Sequence, residues 1–89
     1  MASAWRFSFP YLTKAVEEWR SAHAPSEDQL AAFYDWAMAV TGSGPPASSL
    51  PVPHREEEYV DLVGTAGVFV TFLAVAQDQA VFVRLIEPA

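Results

Sequence analysis

Val68-Phe-Val-Thr-Phe-Leu-Ala-Val75, followed by Ala76-Gln-Asp-Gln79 and then Ala80-Val-Phe-Val-Arg-Leu-Ile86, is the stretch that decides the fold class. Its first run is apolar at odd and even positions alike, the pattern of a central strand covered on both faces. The last run places Val81, Val83 and Leu85 on one face of a further strand. Two such runs around the polar break at Gln77-Asp-Gln79 predict a β-hairpin, although no Asn-Gly or Asp-Gly pair marks its turn. Immediately upstream, Gly64-Thr-Ala-Gly67 is a turn signal, and Glu58 to Val63 alternates loosely. The C-terminal third therefore reads as a three-stranded meander.

Further toward the N-terminus the period changes. Gly42-Ser-Gly-Pro-Pro-Ala-Ser-Ser-Leu-Pro-Val-Pro53 holds four prolines and two glycines and predicts a partly extended linker. Before it, Ser26-Glu-Asp-Gln29 is a capping box, with acids in the first turn of the helix it opens. That helix presents Leu30, Phe33, Tyr34, Ala37 and Val40 inward, and Gly42 is its expected C-cap. An earlier helix runs from Tyr11 to about His23, where Leu12, Ala15, Val16 and Trp19 form one stripe at helical spacing. Ala24-Pro25 breaks it, and the short link predicts an antiparallel helical hairpin. Trp5-Arg-Phe-Ser-Phe9 alternates as a half-buried strand, with Trp5, Phe7 and Phe9 on one face, and Pro10 ends it. The order strand, helix, helix, linker and three strands predicts an α+β fold, β-α-α-β-β-β, with a helical hairpin packed on an antiparallel-rich sheet.

Length and composition bound the function. The chain has 89 residues, the size of a single domain spanning 1–89 with the linker between its helical and strand halves. It carries five Lys and Arg against eleven Asp and Glu, a net charge of −6, and no cysteine. Disulfides and thiolate-ligated metals are therefore excluded. Nonspecific nucleic-acid binding is disfavoured, because phosphate attracts the cations this chain lacks. The longest apolar stretch, residues 68–76, falls far short of the roughly 20 residues of a membrane-spanning helix. Its opening residues lack the basic and apolar blocks of a signal peptide, so the expected location is the cytoplasm.

This order of elements, at this length, resembles the RelE/ParE toxin superfamily of bacterial toxin–antitoxin systems. Trp5 to Phe9 looks like the family's first strand and Pro10 to Val40 like its helical hairpin. Tyr59-Val-Asp-Leu-Val-Gly64 and Val68 to Val75 look like the strands that typical members write approximately as Tyr-Arg-x-Arg-x-Gly-Asp-Tyr-Arg-x-x-Tyr. The resemblance implies a fold, an antitoxin partner and, in the ribosome-dependent members, cleavage of RNA by cationic side chains. This chain departs from that pattern. Val60, Leu62 and Val68 stand where typical members carry sheet arginines, and Ile86-Glu-Pro-Ala89 replaces a basic, aromatic tail. Neutral side chains cannot stabilise charge developing on a scissile phosphate. Relatives that poison gyrase act by binding a protein, which needs no catalytic set.

Three functions stay open at this point: a divergent toxin-type protein that binds a protein target or antitoxin, a noncatalytic adaptor or homodimer reusing the fold, and a weak ribonuclease using Arg55 and Arg84. Trp36 lies off the main stripe of its helix, and an exposed tryptophan is a good interface anchor. Arg55, Tyr59 and Arg84 form a cationic and aromatic patch if they share a sheet face. These four are the expected partner-binding residues, and the partner is a protein: an antitoxin, a host target or a second copy. No catalytic residue, cofactor or metal is expected. His54, Glu56, Glu57, Glu58 and Asp61 are the densest polar cluster, but consecutive acids on an extended segment point to opposite sides and read as a solvated strand entrance. His23 and His54 lack the nucleophile elbow a Ser-His-Asp triad requires.

Overall fold

The computed structural model describes residues 4–63 and 67–89. Seven elements follow one another: β1 (Arg6–Phe7), α1 (Phe9–His23), α2 (Glu27–Ser43), β2 (Leu50–Pro51), β3 (Glu58–Val63), β4 (Val68–Val75) and β5 (Ala80–Pro88). The strands form one five-stranded sheet in the order β1-β5-β4-β3-β2. β1 pairs parallel to β5, and every other pair is antiparallel. The expected α+β architecture is present, with one strand more than the sequence suggested. The turn expected at Gly64-Thr-Ala-Gly67 lies outside the described residues except for Gly67, whose φ of 69° suits a residue without Cβ.

Local chemistry explains the helices. Pro10 sits in the first turn of α1, where its missing N–H is not needed. Ala24 closes that helix in a left-handed conformation and donates its N–H to the Arg20 carbonyl. The capping box of α2 forms in full: Ser26 Oγ accepts from the Gln29 N–H at 3.1 Å, and Gln29 Oε1 accepts from the Ser26 N–H at 2.9 Å. α2 runs past Gly42 and is capped instead by Gly44, at φ 80°, against which the Trp5 indole packs. A Cβ on Gly44 would lie 2.6 Å from Trp5 Nε1.

The buried face of the sheet holds Val63, Val68, Val70, Phe72, Ala74, Val81, Val83 and Ile86. It packs with Ala15, Val16 and Trp19 of α1 and Phe33, Trp36 and Val40 of α2. The rings interlock at edge-to-face and stacked angles: Trp19 with Phe33, Phe33 with Trp36, and Trp36 with Phe72.

Four expectations are corrected. β1 is only two residues long; Phe9 opens α1 and is exposed. The Ser8 N–H donates to the Val81 carbonyl, which ties the chain to the start of β5 before Pro10 turns it into the helix. On α2 the inner stripe is Phe33, Trp36 and Val40, while Tyr34 is turned outward. These three are spaced three and four residues apart, so they also share a helical face. The proline-rich linker is not a plain tether: Leu50 and Pro51 pair with Val60 and Tyr59 as the edge strand β2. Finally, a bulge interrupts β5. Thr71 pairs with Leu85 but Phe72 pairs with Val83, which leaves Arg84 as the extra residue. Beyond the bulge the alternation shifts by one, so Ile86 is buried and Leu85 exposed.

Candidate functional site: the outer face of the sheet

The outer face is read directly from the register, because residues opposed across antiparallel strands share a face. One row crosses four strands: Leu50 on β2, Val60 on β3, Thr71 on β4 and Leu85 on β5. On one side of it lies the row Leu62, Phe69 and Glu87. On the other lies Glu58, Leu73 and Phe82, with Arg84 beside them. Leu50, Leu62 and Leu85 are 68%, 52% and 45% exposed, respectively. The expectation that β4 is covered on both faces is corrected: Val68, Val70, Phe72 and Ala74 are buried beneath the helices, whereas Phe69, Thr71, Leu73 and Val75 are only half-buried.

Charge on this face comes from Glu58, Arg84 and Glu87, and Lys14 and Glu18 of α1 line the cleft beside Arg84. Arg84 Nη1 lies 3.3 Å from Glu58 Oε1, so the guanidinium reaches from β5 over β4 to β3. Glu58 is thereby largely removed from water, which corrects the reading of its cluster as a solvated entrance. Asp61 departs from that reading too. It is buried on the helical face, where Oδ2 accepts from Trp36 Nε1 at 2.8 Å and Oδ1 from Ser48 Oγ at 3.2 Å. Among the described residues, no group of three His, Asp or Glu side chains is placed to hold a metal ion.

The four residues expected to bind a partner do not come together. Trp36 is 8% exposed, so its expected exposure is corrected; its ring is core and its N–H is spent on Asp61. Tyr59 lies opposite Phe72 on the helical face, ring centroids 5.9 Å apart. Arg84 stands on the outer face, and Arg55 is exposed in the turn before β3, its N–H donated to the Val52 carbonyl. The shared patch of Arg55, Tyr59 and Arg84 is therefore not formed. Of the three positions compared with family arginines, Val60 and Leu62 are on the outer face, but Val68 points into the core and Phe69 takes its place.

What sequence reasoning missed is the outer row itself. Its signal was present: an eight-residue strand apolar on both faces, beside a single helical hairpin among the described residues, leaves much of one face uncovered. A second apolar surface lies between the start of α1 and α2, a groove of about 440 Å³ lined by Trp5, Phe7, Phe9, Leu12, Tyr34 and Met38.

A helical hairpin packed mainly on one face of this mixed sheet, with Tyr11 of α1 reaching round to Phe82 on the other, is a RelE-like fold. The crystal structure of the isolated E. coli RelE toxin superposes with a TM-score of 0.68 at 15% identity, covering 98% of this chain and 85% of that one. No protein-family model and no curated protein sequence matches the chain. Among the described residues, no helix is long and apolar enough to cross a membrane.

Proposed function

We propose that this chain is a toxin-type protein that acts by binding a protein, an antitoxin or a host target, through the outer sheet face rather than by cutting RNA. The observation that carries this reading is the chemistry of that face. Val60, Leu62, Phe69, Leu85 and Leu50 make it an apolar surface, and its arginine, Arg84, is already paired with Glu58. An apolar sheet face offers area to a protein partner. It offers a phosphate almost no counter-charge. The RelE-like fold supports the toxin class, and the net charge of −6 argues against an RNA substrate.

Inducible expression in a bacterial host tests the proposal. Growth arrest is expected from the wild-type chain and from the Arg55→Ala/Arg84→Ala double variant. It should disappear in Leu62→Ser/Leu85→Ser at equal soluble level. Loss of arrest in the arginine variant would favour the ribonuclease reading. Normal growth with soluble wild-type protein would overturn the toxin class and favour a noncatalytic adaptor.

A further inference from the structure

We infer that residues 45–56 form a strap that opens from β3 as a unit while the rest of the fold stays closed, uncovering a strand edge that the closed molecule hides. Four observations carry it.

The first is what the strap lacks. It joins α2 to β3 and carries β2, yet among the described residues none of its side chains belongs to the hydrophobic core or packs against it. Leu50 and Pro51 are exposed even while paired. A segment with few buried apolar contacts opens at a fraction of the cost of global unfolding. The second is strain. His54 and Glu57 hold left-handed backbone, at φ 64° and 62°, although both carry a Cβ. The third is a stranded polar group. Ser49 Oγ is buried with no hydrogen-bond partner among the described residues, a cost that water removes once the strap lifts.

The fourth is a divided anchor. Asp61 Oδ1 accepts from Ser48 Oγ of the strap at 3.2 Å, whereas Oδ2 accepts from Trp36 Nε1 of α2 at 2.8 Å. Losing the longer bond leaves the shorter one, so α2 stays tied to β3 while the strap leaves. The two pivots are held as well. Gly44, at φ 80°, caps α2 with its N–H on the Val40 carbonyl. At the other end the Glu57 carbonyl accepts from the Ala74 N–H at 2.8 Å.

Opening changes what the sheet edge offers. The Glu58 carbonyl accepts from the Val52 N–H at 2.9 Å, so strand alternation turns the backbone of Val60 toward β2 as well. Closed, that edge is covered by a two-residue strand, one member of which is a proline without an N–H, and it is a poor template for further pairing. Open, Glu58 and Val60 present backbone donors and acceptors that an extended segment matches.

Native-state hydrogen exchange of the full chain, read residue by residue by NMR, tests the strap independently of any effect on growth. The Val52 and Val60 amides are expected to be about tenfold or more less protected than Phe72, on the central strand β4. Low concentrations of urea should speed Phe72 steeply and Val52 and Val60 little, because the strap exposes little surface when it opens. Ser48→Ala should speed Val52 and Val60 by about fivefold. The chain has no cysteine, so Leu50→Cys/Val60→Cys places a single disulfide across directly paired residues. Oxidised, it should raise Val52 protection toward that of Phe72, and reduction should reverse the gain. Val52 and Val60 as protected as Phe72, with the same urea dependence, would overturn the inference, because the segment then opens only with the whole fold. So would rates unchanged by Ser48→Ala, or fast exchange at Val52 that persists in the oxidised variant. The urea series needs no variant, so it decides the matter even where the disulfide does not form.

Discussion

Replacing Trp36 by Phe should destabilise the fold far more than its conservative appearance suggests. Trp36 Nε1 donates to Asp61 Oδ2 at 2.8 Å inside the core, and Asp61 is 5% exposed. Phenylalanine keeps much of the ring packing against Phe7, Phe33 and Phe72 but removes the donor. Asp61 then retains only the longer bond from Ser48 Oγ, at 3.2 Å, among its side-chain partners on these residues. A buried hydrogen bond to a charged acceptor contributes about 1.5–3 kcal/mol, and an acceptor left unmatched adds to the cost. The smaller ring adds a further packing loss, so about 2–4 kcal/mol is expected in all. A chain of this length has a total stability of roughly 4–13 kcal/mol. The melting temperature should therefore fall by on the order of 10–20 °C. Guanidinium and thermal unfolding followed by circular dichroism measure it. The diagnostic step is a double-mutant cycle with Asp61→Ala. In that background Trp36→Phe should cost about 1–2 kcal/mol less, because the bond is already gone. A loss below about 1 kcal/mol, or the same loss in both backgrounds, would refute the account of the Trp36–Asp61 bond as a main tie between α2 and β3.

Other outcomes follow from the same structure. Gly44→Ala should destabilise by about 1–3 kcal/mol, because a positive φ and the Trp5 indole both oppose a Cβ, and a urea titration will read it. Ser26→Ala removes the capping-box acceptor and should cost about 1 kcal/mol, with Ser26→Asn near neutral in the same assay. Leu85→Asn should leave the melting temperature almost unchanged while Ile86→Asn unfolds the protein; the reverse ranking would mean that the Arg84 bulge is not there.

Short-range signals were legible in the sequence. The capping box at Ser26, Pro10 at the start of α1, the Leu12-to-Trp19 stripe and the strand character of residues 58–63, 68–75 and 80–86 each depend on a few neighbouring residues. Those signals were enough for the order of every element but the edge strand β2, and for the RelE-like fold. The candidate site was legible only in part. Val60 and Leu62 could be marked as neutral where the resembling family is cationic, but which residues stand beside them depends on register.

Register, bulges and burial are agreements between segments distant in sequence. No local pattern around Arg84 announces an extra residue, yet that residue moves Leu85 out of the core and Ile86 into it. A helical stripe through Tyr34 leaves Trp36 on the surface; Asp61, 25 residues away, supplies the acceptor that lets its indole N–H be buried. Residue type alone pairs Tyr59 with Arg84, but the register of β3 and the bulge in β5 send them to opposite faces. The sequence by itself determined both helices, the strands β3, β4 and β5 and their order, because backbone propensity and apolar period act over a few residues, whereas β2 exists only through its pairing with β3. Only the tertiary structure decided which apolar residues became core and which stayed on the sheet's outer face, because the helices bury one side of the sheet and reach the other only where Tyr11 of α1 meets Phe82.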